Sequence, residues 1–302
     1  MAEASKLMDQ ADTLRILAGN LNHGPTAAVG RKLPAVVSVT SGKGGVGKTM
    51  VVANMAIVQA RRGRKVMIID ADLGLANVDV VFGLTPRFNL NHFFSGEKSL
   101  EEIVIDGPYG IKILSAGSGV QSFTHLNGEQ KMRFLESMDV FHGAFDLVLI
   151  DTEAGISENV TYFNVAAQEI LVVTTSDPTS ITDAYALMKL LSKQYHEKRF
   201  SLVANQVSGE DEALDIYKKL TMVSGRYLDI FIDFLGWIPH EKKMRESIAR
   251  QRPIAELFPK SPAGQAFEGM ARQLDLLVQN VHAKGTSQLF WKRLMAFDQG
   301  AA

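Results

Sequence analysis

The 302-residue sequence contains no cysteine, which removes disulfide frameworks, thiolate-bound zinc and iron–sulfur clusters from consideration. No apolar run approaches the roughly 20 residues that a membrane-spanning helix needs, and the N-terminus has no secretory apolar core. The expectation is a cytoplasmic protein whose membrane contact, if it has one, is peripheral. Neither sign of charge is in excess: 32 basic and 33 acidic residues leave a net charge of −1, so nothing global attracts nucleic acid. Internal repeats and low-complexity tracts are also missing. What remains is a chain with 46% hydrophobic residues, able to bury the core of one α/β domain of about 250 residues with an extension at each end.

Short apolar runs alternate with helix-period segments, the signature of stacked βαβ units. Strands are predicted at Ala35–Thr40, Lys65–Asp70, Ile111–Ser115, Leu147–Asp151, Glu169–Thr174, Phe200–Ala204 and Phe234–Ile238. Helices are predicted at Lys48–Arg62, Glu129–Phe141, Asn159–Ala167, Ile181–Tyr195, Asp211–Ser224, Met244–Gln251 and Gly264–His282. The strands are apolar almost throughout, which implies burial on both sides. The fold class is therefore α/β, a mostly parallel, doubly wound sheet with helices on both faces and its ligand site at the carboxyl ends of the strands.

One segment names the ligand. Ser41-Gly42-Lys43-Gly44-Gly45-Val46-Gly47-Lys48-Thr49 joins the first strand to the first helix. Gly42, Gly44, Gly45 and Gly47 let the backbone N–H groups converge on phosphate oxygens, where a side chain would block approach, and the helix N-terminus adds its positive end. Lys48 offers a charge to the terminal phosphates, and the Thr49 hydroxyl a ligand to Mg²⁺. The nucleotide-binding set runs from Gly42 through Val46 to Met50, for a nucleoside triphosphate with Mg²⁺. Lys43 cannot bend back onto its own loop's phosphates and is expected to be free to reach outward.

Asp70, Asp72 and Asp151 fall at strand ends beside this loop, so three carboxylates are expected to converge on the metal and the γ-phosphate, the arrangement that phosphoryl transfer needs. Asn205 follows the strand Phe200–Ala204, and its amide carries the donor and acceptor that an adenine edge requires, although a plain turn role competes.

The loop resembles the deviant Walker A of the MinD/ParA ATPases, Lys-Gly-Gly-x-Gly-Lys-Thr, at every fixed position. The runs Asp72-Leu73-Gly74-Leu75-Ala76-Asn77-Val78-Asp79 and Thr179 to Leu187, the leader Asp9-Gln10-Ala11-Asp12-Thr13-Leu14-Arg15 and the tail together resemble the FlhG/FleN regulators of flagellar number. That resemblance implies a catalytic set of Asp72, which orients water, with Lys43, reaching the partner's nucleotide across a face-to-face homodimer, and Lys48. It further implies Mg²⁺ support from Asp70 and Asp151, a second switch beginning at Asp151-Thr152, and adenine contacts by Asn205 and the Ile238-Pro239 segment.

The resemblance also divides the chain. Residues 1–20 form a helix that activates an FlhF-type GTPase through Asp9, Gln10, Ala11, Leu14 and Arg15; residues 21–34 form a flexible linker, and residues 35–284 the ATPase domain. In the tail, 285–302, Leu289, Phe290, Trp291, Leu294, Met295 and Phe297 make one apolar helical face suited to a membrane surface, with docking on the protein's own core as the alternative. Flagellar switch and basal-body proteins and a FleQ-type transcription activator are the implied further partners. MinD-like division-site placement and ParA-like DNA or cargo positioning are the alternative functions. Against the latter, Glu241 and Glu246 dilute the basic run Lys242, Lys243, Arg245, Arg250 and Arg252, and no aromatic residue interleaves it. One residue departs from the family pattern. Glu153 stands where relatives carry a small or neutral residue, and is expected to face solvent or a partner, since repulsion by the γ-phosphate would otherwise weaken binding.

Overall fold

The computed structural model describes residues 34–72, 77–115, 128–139, 141 and 143–280. The leader, the linker up to residue 33, the tail with its expected apolar face and residues 73–76 lie outside the described residues. In chain order the elements are β1 (Ala35–Ser41), α1 (Lys48–Arg61), β2 (Val66–Ala71), α2 (Val78–Val81), α3 (Leu90–Phe94), α4 (Leu100–Ile103), β3 (Ile105–Asp106), β4 (Lys112–Ser115), α5 (Gly128–Asp139), β5 (Leu147–Ala154), α6 (Glu158–Ala166), β6 (Glu169–Thr174), α7 (Pro178–Tyr195), β7 (Arg199–Val207), α8 (Glu210–Tyr227), β8 (Phe231–Pro239), α9 (Lys242–Ala249), α10 (Ile254–Leu257) and α11 (Pro262–Asn280).

The sheet runs β3-β4-β2-β5-β1-β6-β7-β8. Every pairing is parallel except the short β3–β4 edge. All seven residues of β1 are buried, and alternation sends them to two cores. Val37 and Val39 pack with α1 and with Phe267, Met270 and Leu274 of α11. Val36 faces the opposite layer, with Phe93, Phe134, Tyr162 and Phe163. The chain leaves β1 between its neighbours β5 and β6, so the β1–α1 loop opens where the winding direction reverses, the usual ligand position in such sheets.

The predicted strands and long helices all form, with ends moved by a few residues. The sequence reading missed β3 and the one-turn helices α2, α3, α4 and α10, which are too short for a periodic signal. For α4 a signal existed. Ser99 accepts from Glu102 N at 3.3 Å while the Glu102 carboxylate accepts from Ser99 N at 2.8 Å, a reciprocal cap written as Ser-x-x-Glu.

Candidate nucleotide site

The loop glycines serve different purposes. Gly47, at φ 94°, caps α1 in a left-handed conformation that residues with a Cβ avoid. Gly42 lies so close to α7 that a Cβ would overlap the main-chain carbonyl of Asp183 and stand 2.7 Å from that residue's Cβ. At Gly44 the nearest atom to an added Cβ is Ala154 Cβ at 3.9 Å. Only some of the glycine run is therefore reserved for phosphate; Gly42 is required by packing between the loop and α7.

Lys48 is buried, its ammonium donating to Ser41 Oγ at 2.9 Å. Burial lowers its pKa, opposed by the charges of Asp151 and Asp72. Asp70 and Asp151 stand opposite each other on β2 and β5. Burial is the largest cause raising both carboxylates above their usual range. Asp151 adds to the rise at Asp70; the Thr49 hydroxyl and Lys48 restrain that of Asp151.

The two carboxylates expected to support Mg²⁺, Asp70 and Asp151, are engaged differently. The Asp70 oxygens accept from the backbone N–H groups of Asp72 at 3.2 Å, Asn77 at 2.9 Å and Val78 at 3.0 Å. That carboxylate shapes the chain entering α2, and its oxygens are already engaged. Asp151, by contrast, keeps Oδ1 buried without a hydrogen-bond partner. A buried, unsatisfied acceptor beside the Thr49 hydroxyl suits a hydrated Mg²⁺. Among the described residues no group of three or more His, Cys, Asp or Glu could hold a metal alone. The ion's other ligands would be nucleotide oxygens and water, and its chemistry when bound is to bridge and neutralise the phosphates.

A cavity of about 290 Å³ adjoins the loop, lined by the predicted Met50, Asn205 and Pro239 and by Ile238, Met244 and Phe267, among others. The sequence reading missed Met244 and Phe267. They reach the cavity from α9 and α11, remote in sequence from the loop, and carry no motif. Asn205 is buried and already engaged: Nδ2 donates to Val46 O at 2.7 Å, and Oδ1 accepts from Gln206 N at 2.9 Å.

Lys43, expected to be free, has partners in its own chain. Its ammonium donates to Asp177 Oδ2 at 2.6 Å and to the Thr179 hydroxyl, and this hydrogen bond is the main reason the Asp177 pKa falls to about 2. Glu153 is also engaged within its own chain. It is half-buried and folds back on its own chain, accepting from Ser157 Oγ at 3.2 Å and Asn159 Nδ2 at 3.5 Å at the start of α6. Two neutral donors satisfy it there.

Residues 32–275 match the family model described as ParA, NUBPL iron-transfer P-loop NTPase. Antiactivator FleN of Pseudomonas aeruginosa is 41% identical over 260 residues, covering 86% of this chain and 93% of that protein. The chain belongs to the ParA/MinD family of P-loop ATPases, in its FleN/FlhG branch. The flagellum site-determining protein YlxH of Helicobacter pylori is 31% identical over 269 residues, covering 86% of this chain and 90% of its own length. The septum site-determining protein MinD of Pyrococcus horikoshii, solved with Mg-ADP, shares the fold at a TM-score of 0.65 and 24% identity, over 84% of this chain and all of that one. The family activity is ATP hydrolysis with Mg²⁺, and the site described above fits it. This chain has no cysteine, so the iron transfer in that family description finds no thiolate here.

Proposed function

We propose that this ATPase is a dimerising switch regulating flagellar number or placement. ATP with Mg²⁺ holds two copies face to face, and hydrolysis releases them. The observation that carries the proposal is the placement of Lys43. A cation one residue into the glycine run is held by Asp177 and Thr179 at the start of α7, and in the dimer it reaches a second copy's phosphates. In that assembly Lys48 and Thr49 hold the phosphates and the metal, Asp151 supports the metal shell, and Asp72 orients the attacking water.

The relatives' names support the flagellar reading, one being an antiactivator and the other a flagellum site-determining protein. On that basis the leader residues Asp9, Gln10, Ala11, Leu14 and Arg15 stimulate an FlhF-type GTPase, the partners include flagellar switch or basal-body proteins and a FleQ-type activator, and the tail rests reversibly on the inner face of the cell membrane. Among the described residues no helix is long and apolar enough to cross a membrane. The test is the dependence of turnover on protein concentration. Hydrolysis per chain should rise with concentration in the wild type and stay low and flat in Lys43→Ala; equal, concentration-independent turnover in both would overturn the proposal.

A further inference from the structure

We infer that Asn205 positions the phosphate loop, so that one amide serves both the base end and the phosphate end of the nucleotide site. The sequence offers this residue as a base contact, because a strand-end amide presents the donor and acceptor that adenine needs, or as a plain turn residue. The structure shows where those groups go. Nδ2 spends a hydrogen on the carbonyl of Val46, the loop residue preceding the α1 cap, at 2.7 Å. Oδ1 accepts from Gln206 N at 2.9 Å. Asn205 is 6% exposed and its bond to Val46 is buried, so little water competes for that amide–carbonyl contact.

Three features built around this contact show that it is more than incidental. A Cβ on Gly47 would overlap Asn205 Nδ2, so the glycine at the α1 cap leaves room for the amide as well as adopting its own φ of 94°. Gln206, directly after it, holds a left-handed φ of 59°, which is uncommon without a glycine and carries backbone strain. The β7–β8 register breaks between Asn205 and Val207. The strand end is thus strained and bulged where the amide must turn towards the loop, a sign that its orientation is specified. Asn205 and Gln206 also line the cavity beside Met50 and Pro239, and the amide still has one hydrogen and one lone pair uncommitted. The same side chain can therefore meet a base while it pins the loop that meets the phosphates.

The two roles separate with a ligand that has phosphates and no base. Magnesium tripolyphosphate binding is measured by calorimetry on the full chain, for the wild type and for Asn205→Ala and Asn205→Leu; the second keeps the shape and deletes the amide. A positioning role predicts that both variants bind tripolyphosphate about 3- to 10-fold more weakly, the loss of one buried hydrogen bond, while thermal unfolding without ligand stays cooperative. Amide exchange over residues 42–49 in the nucleotide-free chain should quicken in both. If tripolyphosphate affinity and loop exchange stay at wild-type values while ATP affinity alone falls, Asn205 reads only the base and the inference is wrong. Global unfolding of both variants also overturns it, because the residue would then support the sheet and not the loop. The experiment does not depend on whether two chains associate.

Discussion

Replacing Gly42 with alanine should destabilise the protein before any nucleotide is present, and replacing Gly44 should not. At Gly42 the new methyl group would overlap the Asp183 carbonyl and stand 2.7 Å from its Cβ, where ordinary contact begins at 3.4 Å, so α7 and the loop must part. The atoms met are mostly helix backbone, which yields little, placing the cost near the upper part of the overpacking range, about 2–3 kcal/mol. At about 2–4 °C per kcal/mol for a domain of this size, the melting temperature falls by about 4–12 °C. Gly44→Ala has its nearest neighbour at 3.9 Å and should stay within about 0.5 kcal/mol of wild type. It should nevertheless lose the stabilisation that saturating Mg-ADP confers, because its methyl enters the space the phosphates need. Calorimetric unfolding of both variants, with and without Mg-ADP, makes the comparison. Equal melting temperatures for the two nucleotide-free variants would refute the assignment of Gly42 to packing and Gly44 to phosphate.

Lys48→Ala should abolish ATP binding in calorimetry, whereas Asp72→Ala should bind ATP, lose at least tenfold in turnover and accumulate dimers; wild-type hydrolysis by Asp72→Ala would remove that residue from the mechanism. Without nucleotide, Asp70 and Asp151 have pKa values raised above those of the unfolded chain, so the native state holds more protons and stability falls as pH rises from about 4 through neutrality. Urea unfolding between pH 5 and 8 should show that decline, and it should be shallower in Asp151→Asn; identical pH slopes would contradict the buried pair. Asp177→Asn removes the negative charge that holds Lys43 in the single chain and should raise the dimer fraction at subsaturating Mg-ATP in sedimentation runs, while a lower fraction would show that Asp177 works on the dimer's side.

The parts of this site that were legible in the sequence are those a short local pattern can carry. The glycine–lysine run fixes a strand–loop–helix and its ligand because each of its residues acts through the backbone next to it, and unbroken apolar strands can only belong to a sheet covered on both faces. Long-range relations were hidden. Nothing near Gly42 announces that α7 will press on it from more than a hundred residues away, and nothing near Asn205 reveals that its amide will turn to Val46. Asp70 and Asp151 look alike as strand-end carboxylates. They differ because the chain after β2 curls its own N–H groups onto the first and leaves an oxygen of the second bare, a consequence of loop path that no residue pattern records. Glu153 looked misplaced until Ser157 and Asn159 were seen to receive it.

The central claim is that bound triphosphate joins two copies of this chain and that Lys43 makes the joint. Sedimentation velocity on the full chain, with Mg-ATP and the slow-turnover Asp72→Ala variant to keep the nucleotide intact, tests it most directly. A single dimer boundary is expected with Mg-ATP, monomers with Mg-ADP or no nucleotide, and monomers under all three conditions once Lys43→Ala is added. One unchanged boundary across every condition, in a protein that calorimetry shows to be saturated with ATP, would contradict it.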